Sequence, residues 1–176
     1  KAPVVEPEPE PELPEGTVVV KIADYAAANG WSNGVMYNTL QLNDKVSAQL
    51  SAVAGSGSYG ANTGKYYTSG NNWRMYQADK EATLVITAVE GTKIVSVKVT
   101  YSVKNSGTLL LGETAIESDN VVEVNASSIT FTVGNTNPSV TNGQAQITAI
   151  QVVLEAEAAE PVVTGGRADL ETMDFK

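Results

Sequence analysis

Cysteine and histidine are both missing from the 176 residues. Without cysteine there is no disulfide, no thiolate metal site and no cysteine nucleophile. Without histidine the chain lacks the commonest general base and the commonest transition-metal ligand, which excludes a serine–histidine triad and a zinc hydrolase of the usual kind. Cations are scarce too: 11 Lys and Arg stand against 20 Asp and Glu, for a net charge of −9, and no basic patch suited to phosphate backbones is visible. Nucleic acid is therefore not an expected partner. No apolar run approaches membrane-spanning length. No cleavable leader is present either, and if the protein is exported its leader is expected to have been removed before Lys1.

What remains is a chain of Gly, Ser, Thr, Asn and Val with charged residues at only 18%, the profile of many short strands joined by tight turns. Residues 1–16 hold five of the seven prolines, interleaved with Glu, and read as an extended polyproline-type spacer without a core. The domain is expected over residues 17–155. Val18, Val20 and Ile22 alternate with Val19 and Lys21 in a first strand. Asp24, Tyr-Ala-Ala-Ala and Asn29-Gly30 then predict one short helical turn capped by Asp24. Residues 45–54 alternate as a half-buried strand, and the glycine-rich stretch 55–64 reads as a loop.

Further strands follow. Val95, Val97, Val99, Tyr101 and Val103 are expected on one face, opposite Ser96, Lys98, Thr100 and Ser102. Ile129, Phe131 and Val133 repeat the pattern, and residues 147–154 are apolar on both faces, as in a central strand. With 83–89 and 108–111 added, roughly ten strands at 8–12-residue spacing predict an all-β, antiparallel sandwich. Residues 156–176 read as a second acidic linker followed by an apolar tail, either an edge strand or the start of another domain.

The stretch from Gly64 to Gln77 concentrates the side chains that can recognise something. It holds Tyr66, Tyr67, Trp73 and Tyr76, four of the nine Trp and Tyr residues, together with Arg74. Alternation along Asn72–Tyr76 puts Trp73 and Met75 on one face and Asn72, Arg74 and Tyr76 on the other. Met75 is a core residue type, so the second face is expected to look outward. Aromatic rings stack on the apolar face of a sugar while Arg and Asn satisfy its hydroxyls, and the candidate ligand-binding residues are Asn72, Arg74, Tyr76 and Tyr67. The competing reading makes Arg74 and Tyr76 simple cross-strand partners on a solvated sheet. Trp31, set between two Asn-Gly turns, is a further stacking candidate or a cap on one end of the sandwich.

Catalysis is not expected. Sugar hydrolysis needs two facing carboxylates, and nothing in the spacing of Asp24, Asp79, Glu81 and Glu123 pairs them. The run Glu117-Ser-Asp119-Asn120 lacks a calcium-loop signature and reads as a turn, so neither a metal nor a cofactor is expected. The Asn125-Ala-Ser127 sequon falls near a strand start and reads as incidental.

Five segments in order, 23–31, 64–77, 93–101, 128–134 and 143–152, resemble a module of Bacteroidetes surface lipoproteins and secreted proteins. The middle block and Gly-Gln-Ala-Gln-Ile-Thr-Ala-Ile-Gln-Val are its most specific parts. The resemblance covers residues 17–155 and implies a jelly-roll-like domain on an exported, lipid-anchored protein, with no activity common to such modules. The resulting expectation is a monomeric, non-catalytic extracellular module that binds a glycan or an extracellular protein at the cell surface. A structural spacer or adhesion domain without a small-molecule site is the alternative.

Overall fold

The computed structural model describes residues 3, 13–55 and 60–157. Most of the proline-rich spacer and the apolar C-terminal tail lie outside the described residues. Two antiparallel sheets face each other. The first is built from β10 (Val121–Ala126), β7 (Thr92–Lys104), β12 (Gln144–Ala156), β5 (Asn72–Tyr76) and β4 (Tyr66–Tyr67), in that order, with β1 (Thr17–Lys21) also on β12. The second runs β2 (Thr39–Gln41), β3 (Val46–Val53), β6 (Lys80–Ala88), β11 (Ser128–Asn135), β8 (Gly107–Leu111) and β9 (Thr114–Ile116). From β5 onward the chain passes from sheet to sheet at almost every connection, which gives the all-β sandwich that the strand spacing predicts a jelly-roll-like character.

The core follows from alternation. In the second sheet Ala48, Ile86 and Ile129 form one cross-strand row and Leu50, Leu84 and Phe131 the next. All six are buried, small beside large, which lets the row interdigitate with the facing sheet. From the first sheet Val97, Val99, Ile147, Ile150 and Val152 close the other side. β12 pairs with β7 along one edge and with β5 and then β1 along the other, so its apolar run from Ile147 is that of a central strand.

Several details depart from the sequence expectation. Twelve strands form among the described residues, against roughly ten expected; β2 and β9 have three residues each, too few for alternation to mark them. The helix α1 (Ile22–Asn29) begins two residues before Asp24, and its N-cap is Lys21, without a side-chain cap. Asp24 instead lies in the first turn, where a carboxylate favours the helix dipole. Ile22 and Ala26 draw the helix onto the core, which is why Ile22 leaves the strand; Gly30 ends the helix in the left-handed region, as expected. In β7 the register slips between Ser96 and Ile94, and the extra residue is Val95. Ile94 therefore takes the core position, Val95 turns away from it, and Val103 ends up exposed near the strand's end.

Candidate functional site

The hairpin of β4 and β5 is shaped by one bulge and one turn. Gly64 donates its N–H to the Arg74 carbonyl (2.8 Å), and Arg74 donates back to the Lys65 carbonyl (3.0 Å). With Gly64 at φ +102°, two residues oppose one in the manner of a G1 bulge, a backbone that an L side chain rarely adopts. The hairpin then turns through Thr68–Asn71, and the turn is tied down because Asn33 Oδ1 accepts from both the Thr68 amide and its hydroxyl.

Pleating now separates the side chains as the sequence predicts. Trp73 and Met75 are fully buried, while Arg74 and Tyr76 are half-buried on the outer face. The Arg74 guanidinium lies over the Tyr67 ring, 3.9 Å from its centroid, a cation–π contact. Its Nε donates to Asn72 Oδ1 at 2.7 Å. Asn72 is on the expected face but is only 2% exposed. Its amide donates to the Ser69 carbonyl and to Gln146 Oε1, both at 3.3 Å, so it positions Arg74 and is not open to a ligand itself. Burial raises the Tyr76 pKa above its ordinary value of 10.0, an effect that the neighbouring Arg74 partly offsets.

Four outer-face neighbours come from strand register, which sequence alone does not supply. Gln146 stands opposite Arg74 and Gln144 opposite Tyr76 on β12. Across the far edge of β12, Gln144 also pairs with Lys104. Lys65 lies beside Arg74 at the bulge and donates to Asn62 Oδ1 at 2.7 Å. The polar alternation in Gln144-Ala-Gln146-Ile was a usable signal for the two glutamines.

Trp31 does not join this group. It is half-buried on the core side of the sheet, stacked on Tyr37 at 4.4 Å and 4°, with Tyr25, Tyr66 and Trp73 around it at centroid distances of 5.2, 5.8 and 5.8 Å. Polar tips of the surrounding rings are bonded to nearby backbone: Tyr37 Oη accepts from the Ser32 amide, Tyr25 Oη from the Gln41 amide, and Trp73 Nε1 donates to the carbonyls of Tyr37 and Gly64. The cluster closes the sandwich where α1 leaves it, the cap alternative of the sequence reading.

Asp79, weighed as a catalytic carboxylate, is buried, and Oδ2 accepts from the Asn62 amide, the Thr63 amide and Thr63 Oγ1 at 2.6–2.8 Å. It clamps the loop that precedes Gly64. In the Glu117–Asn120 turn, Asp119 accepts from Thr100 Oγ1 and Ser118 Oγ accepts from the Tyr101 amide, so both are engaged by β7. A cleft of about 400 Å³ lies at the other end of the domain, lined by Gly16, Asn43, Lys45, Gly91 and Glu155 among others, with no aromatic ring in its wall. No protein-family model, curated protein or solved structure matches the chain.

Proposed function

We propose that this domain is a non-catalytic binding module of an exported, cell-surface protein, and that it takes a glycan on the outer face of the β4–β5 hairpin. The observation that carries this choice over the spacer alternative is where the domain's two ends lie. β1 runs antiparallel to β12, with Thr17 opposite Val153, and the Leu154 amide donates to the Gly16 carbonyl. The polypeptide thus enters and leaves the sandwich side by side. A domain inserted this way adds little length to a stalk; it hangs from the chain as a pendant.

The Arg74 row meets β12 at Gln146, eight residues before Leu154, or about 25 Å along the strand. Tyr67, Arg74 and Tyr76 are therefore held toward the end remote from the two linkers, where a ligand can reach them. Arg74 and Tyr76 offer hydrogen-bond donors, and the Tyr76 ring offers apolar surface for a sugar face. The location at the cell surface rests on the resemblance to Bacteroidetes surface proteins.

One observation favours the spacer reading: Arg74 covers a face of Tyr67, as cross-strand partners on a solvated sheet do. The test is a glycan array probed with the whole chain and with Tyr76→Ala. Retention of a glycan class that Tyr76→Ala loses, with a melting temperature within a few degrees of the parent, is the expected result. Absence of retention on every glycan, or retention indifferent to the substitution, would leave the spacer reading standing.

A further inference from the structure

We propose that the glycan taken by this face is acidic, with the carboxylate or sulfate of a sugar held by the Arg74 guanidinium and flanked by Lys65 and Lys104. This rests on the glycan-binding reading above and adds the ligand's charge. The chain carries a net charge of −9, yet its outer face at this end gathers cations. Lys65 and Arg74 are neighbours across the bulge, and Lys104 shares the cross-strand row of Gln144 and Tyr76. Two strand spacings put Lys104 on the order of 10 Å from β5, a separation that successive sugars of a chain can bridge.

Like charges set opposite each other on a sheet are destabilising unless an anion lies between them. None of the three cations has a carboxylate partner among the described residues. Among the described residues the ion pair within 4.0 Å is Lys93 with Glu155, at the domain's other end. The nearby Asp79 is turned into the loop and bonded there three times. Glu123 and Asp119 belong to the β10 side of the sheet, and Asp119 is bonded to Thr100.

The geometry of Arg74 supports an oxyanion over a neutral hydroxyl. Its Nε is occupied by Asn72, and its plane is fixed against Tyr67, while the Tyr76 hydroxyl lies close enough to the guanidinium to interact with it and no carboxylate among the described residues pairs with its two terminal nitrogens. Those nitrogens form the fork that meets a carboxylate or sulfate with two parallel hydrogen bonds. Because Asn72 and Tyr67 hold the fork in place before binding, little side-chain entropy is lost when the anion arrives. Tyr76, a phenol that is protonated at neutral pH, can add a further donor to the same group.

The experiment is affinity electrophoresis of the whole chain in gels containing polygalacturonate, fully methyl-esterified pectin, carrageenan or agarose. The first two differ by neutralised carboxylates, the last two by sulfate esters. Retardation by polygalacturonate, by carrageenan or by both is expected, with the neutral counterparts at least about tenfold weaker. The arm that binds identifies carboxylate or sulfate. Arg74→Gln should weaken retention about tenfold and Lys104→Gln about threefold, since the second is exposed and its loss leaves the fold intact. Lys45→Gln, in the turn at the opposite end, is the control for bulk charge and should change nothing. General electrostatics cannot imitate the expected result, because the protein and the polymer are both anionic.

Equal retention by charged and neutral forms would overturn this inference and leave glycan binding intact. Retention by the acidic polymers unchanged in both variants would also overturn it, placing the anion elsewhere. No retention here, with a neutral glycan bound on the array, removes the acidic sugar alone; failure in both assays removes the glycan reading with it.

Discussion

Trp73→Ala tests the division of β5 into two faces. The Trp73 side chain has 0% exposure and packs against Trp31, 5.8 Å away, at the edge of the aromatic group that Trp31 centres. Truncating a buried large aromatic to alanine costs about 3–5 kcal/mol. The indole N–H adds to that. It bonds the carbonyls of Tyr37 and Gly64, and the Gly64 oxygen keeps a second donor, the Tyr37 amide. Only the Tyr37 carbonyl is orphaned, at about 1–3 kcal/mol if water cannot reach it. The expected loss for Trp73→Ala is thus about 4–8 kcal/mol, a large part of the roughly 5–15 kcal/mol that holds a domain together.

Trp73→Phe keeps most of the ring burial and loses the N–H, so about 1–2 kcal/mol is expected. Tyr76→Ala, on the outer face, should cost about 1 kcal/mol. Urea unfolding followed by far-UV circular dichroism measures all three, with Trp73→Phe supplying the graded value if the alanine variant is largely unfolded. A loss below about 2 kcal/mol for Trp73→Ala, or a larger loss for Tyr76→Ala, would mean that the faces are inverted.

Asp79→Ala deprives three donors of Asn62 and Thr63 of their acceptor and should cost about 3 kcal/mol by urea melt, with Asp79→Asn recovering part of it. Gly107→Ala should destabilise by more than about 2 kcal/mol in the same assay, because a Cβ there would lie 2.4 Å from the Gln144 carbonyl oxygen, a backbone atom with nowhere to go. In an alkaline ultraviolet titration Tyr76 should ionise above its ordinary 10.0, a component that Tyr76→Phe removes. Because the folded chain holds this proton more tightly than the unfolded one, Tyr76 contributes stability that is present below pH 10.0 and falls as the pH rises through its folded pKa.

Alternation made the inner and outer faces of β5 and β11 legible from the amino acids alone, since Trp73, Met75, Ile129 and Phe131 are each separated by one polar or smaller residue. The same rule failed at Val95, where the chain adds a residue whose only trace is a register slip against β12. A bulge leaves the composition of a strand untouched, so periodicity reads straight through it. Trp31 was ambiguous for a related reason. Its flanking turns place it on the surface, but the stack on Tyr37 and the edge of Tyr25 depend on where β2 and α1 dock, information spread over distant residues. Lys65 and Lys104 carry no local mark at all. Lys104 comes near Tyr76 through two antiparallel pairings of β12, which no window of sequence contains.

The two faces of the hairpin are coupled through the backbone they share. A side chain on a strand is placed no better than its Cα, and the Cα positions of Asn72, Arg74 and Tyr76 are set by residues that alternate with them. Trp73 and Met75 anchor that backbone in the core, and Trp73 further ties it to the Tyr37 and Gly64 carbonyls. From the other side, Thr63 Oγ1 accepts the Tyr76 amide while its own proton goes to Asp79, so the buried carboxylate reaches the outer face through two hydrogen bonds. Tyr66 does for Tyr67 what Trp73 does for Arg74: it is buried, and its hydroxyl donates to Asn71 in the turn. An arginine on a mobile loop would surrender rotamer entropy on meeting an anion; one seated between Asn72 and Tyr67 on a strand fixed from beneath has already surrendered it during folding. The buried side of this hairpin is therefore the reason its outer side can act as a rigid recognition surface.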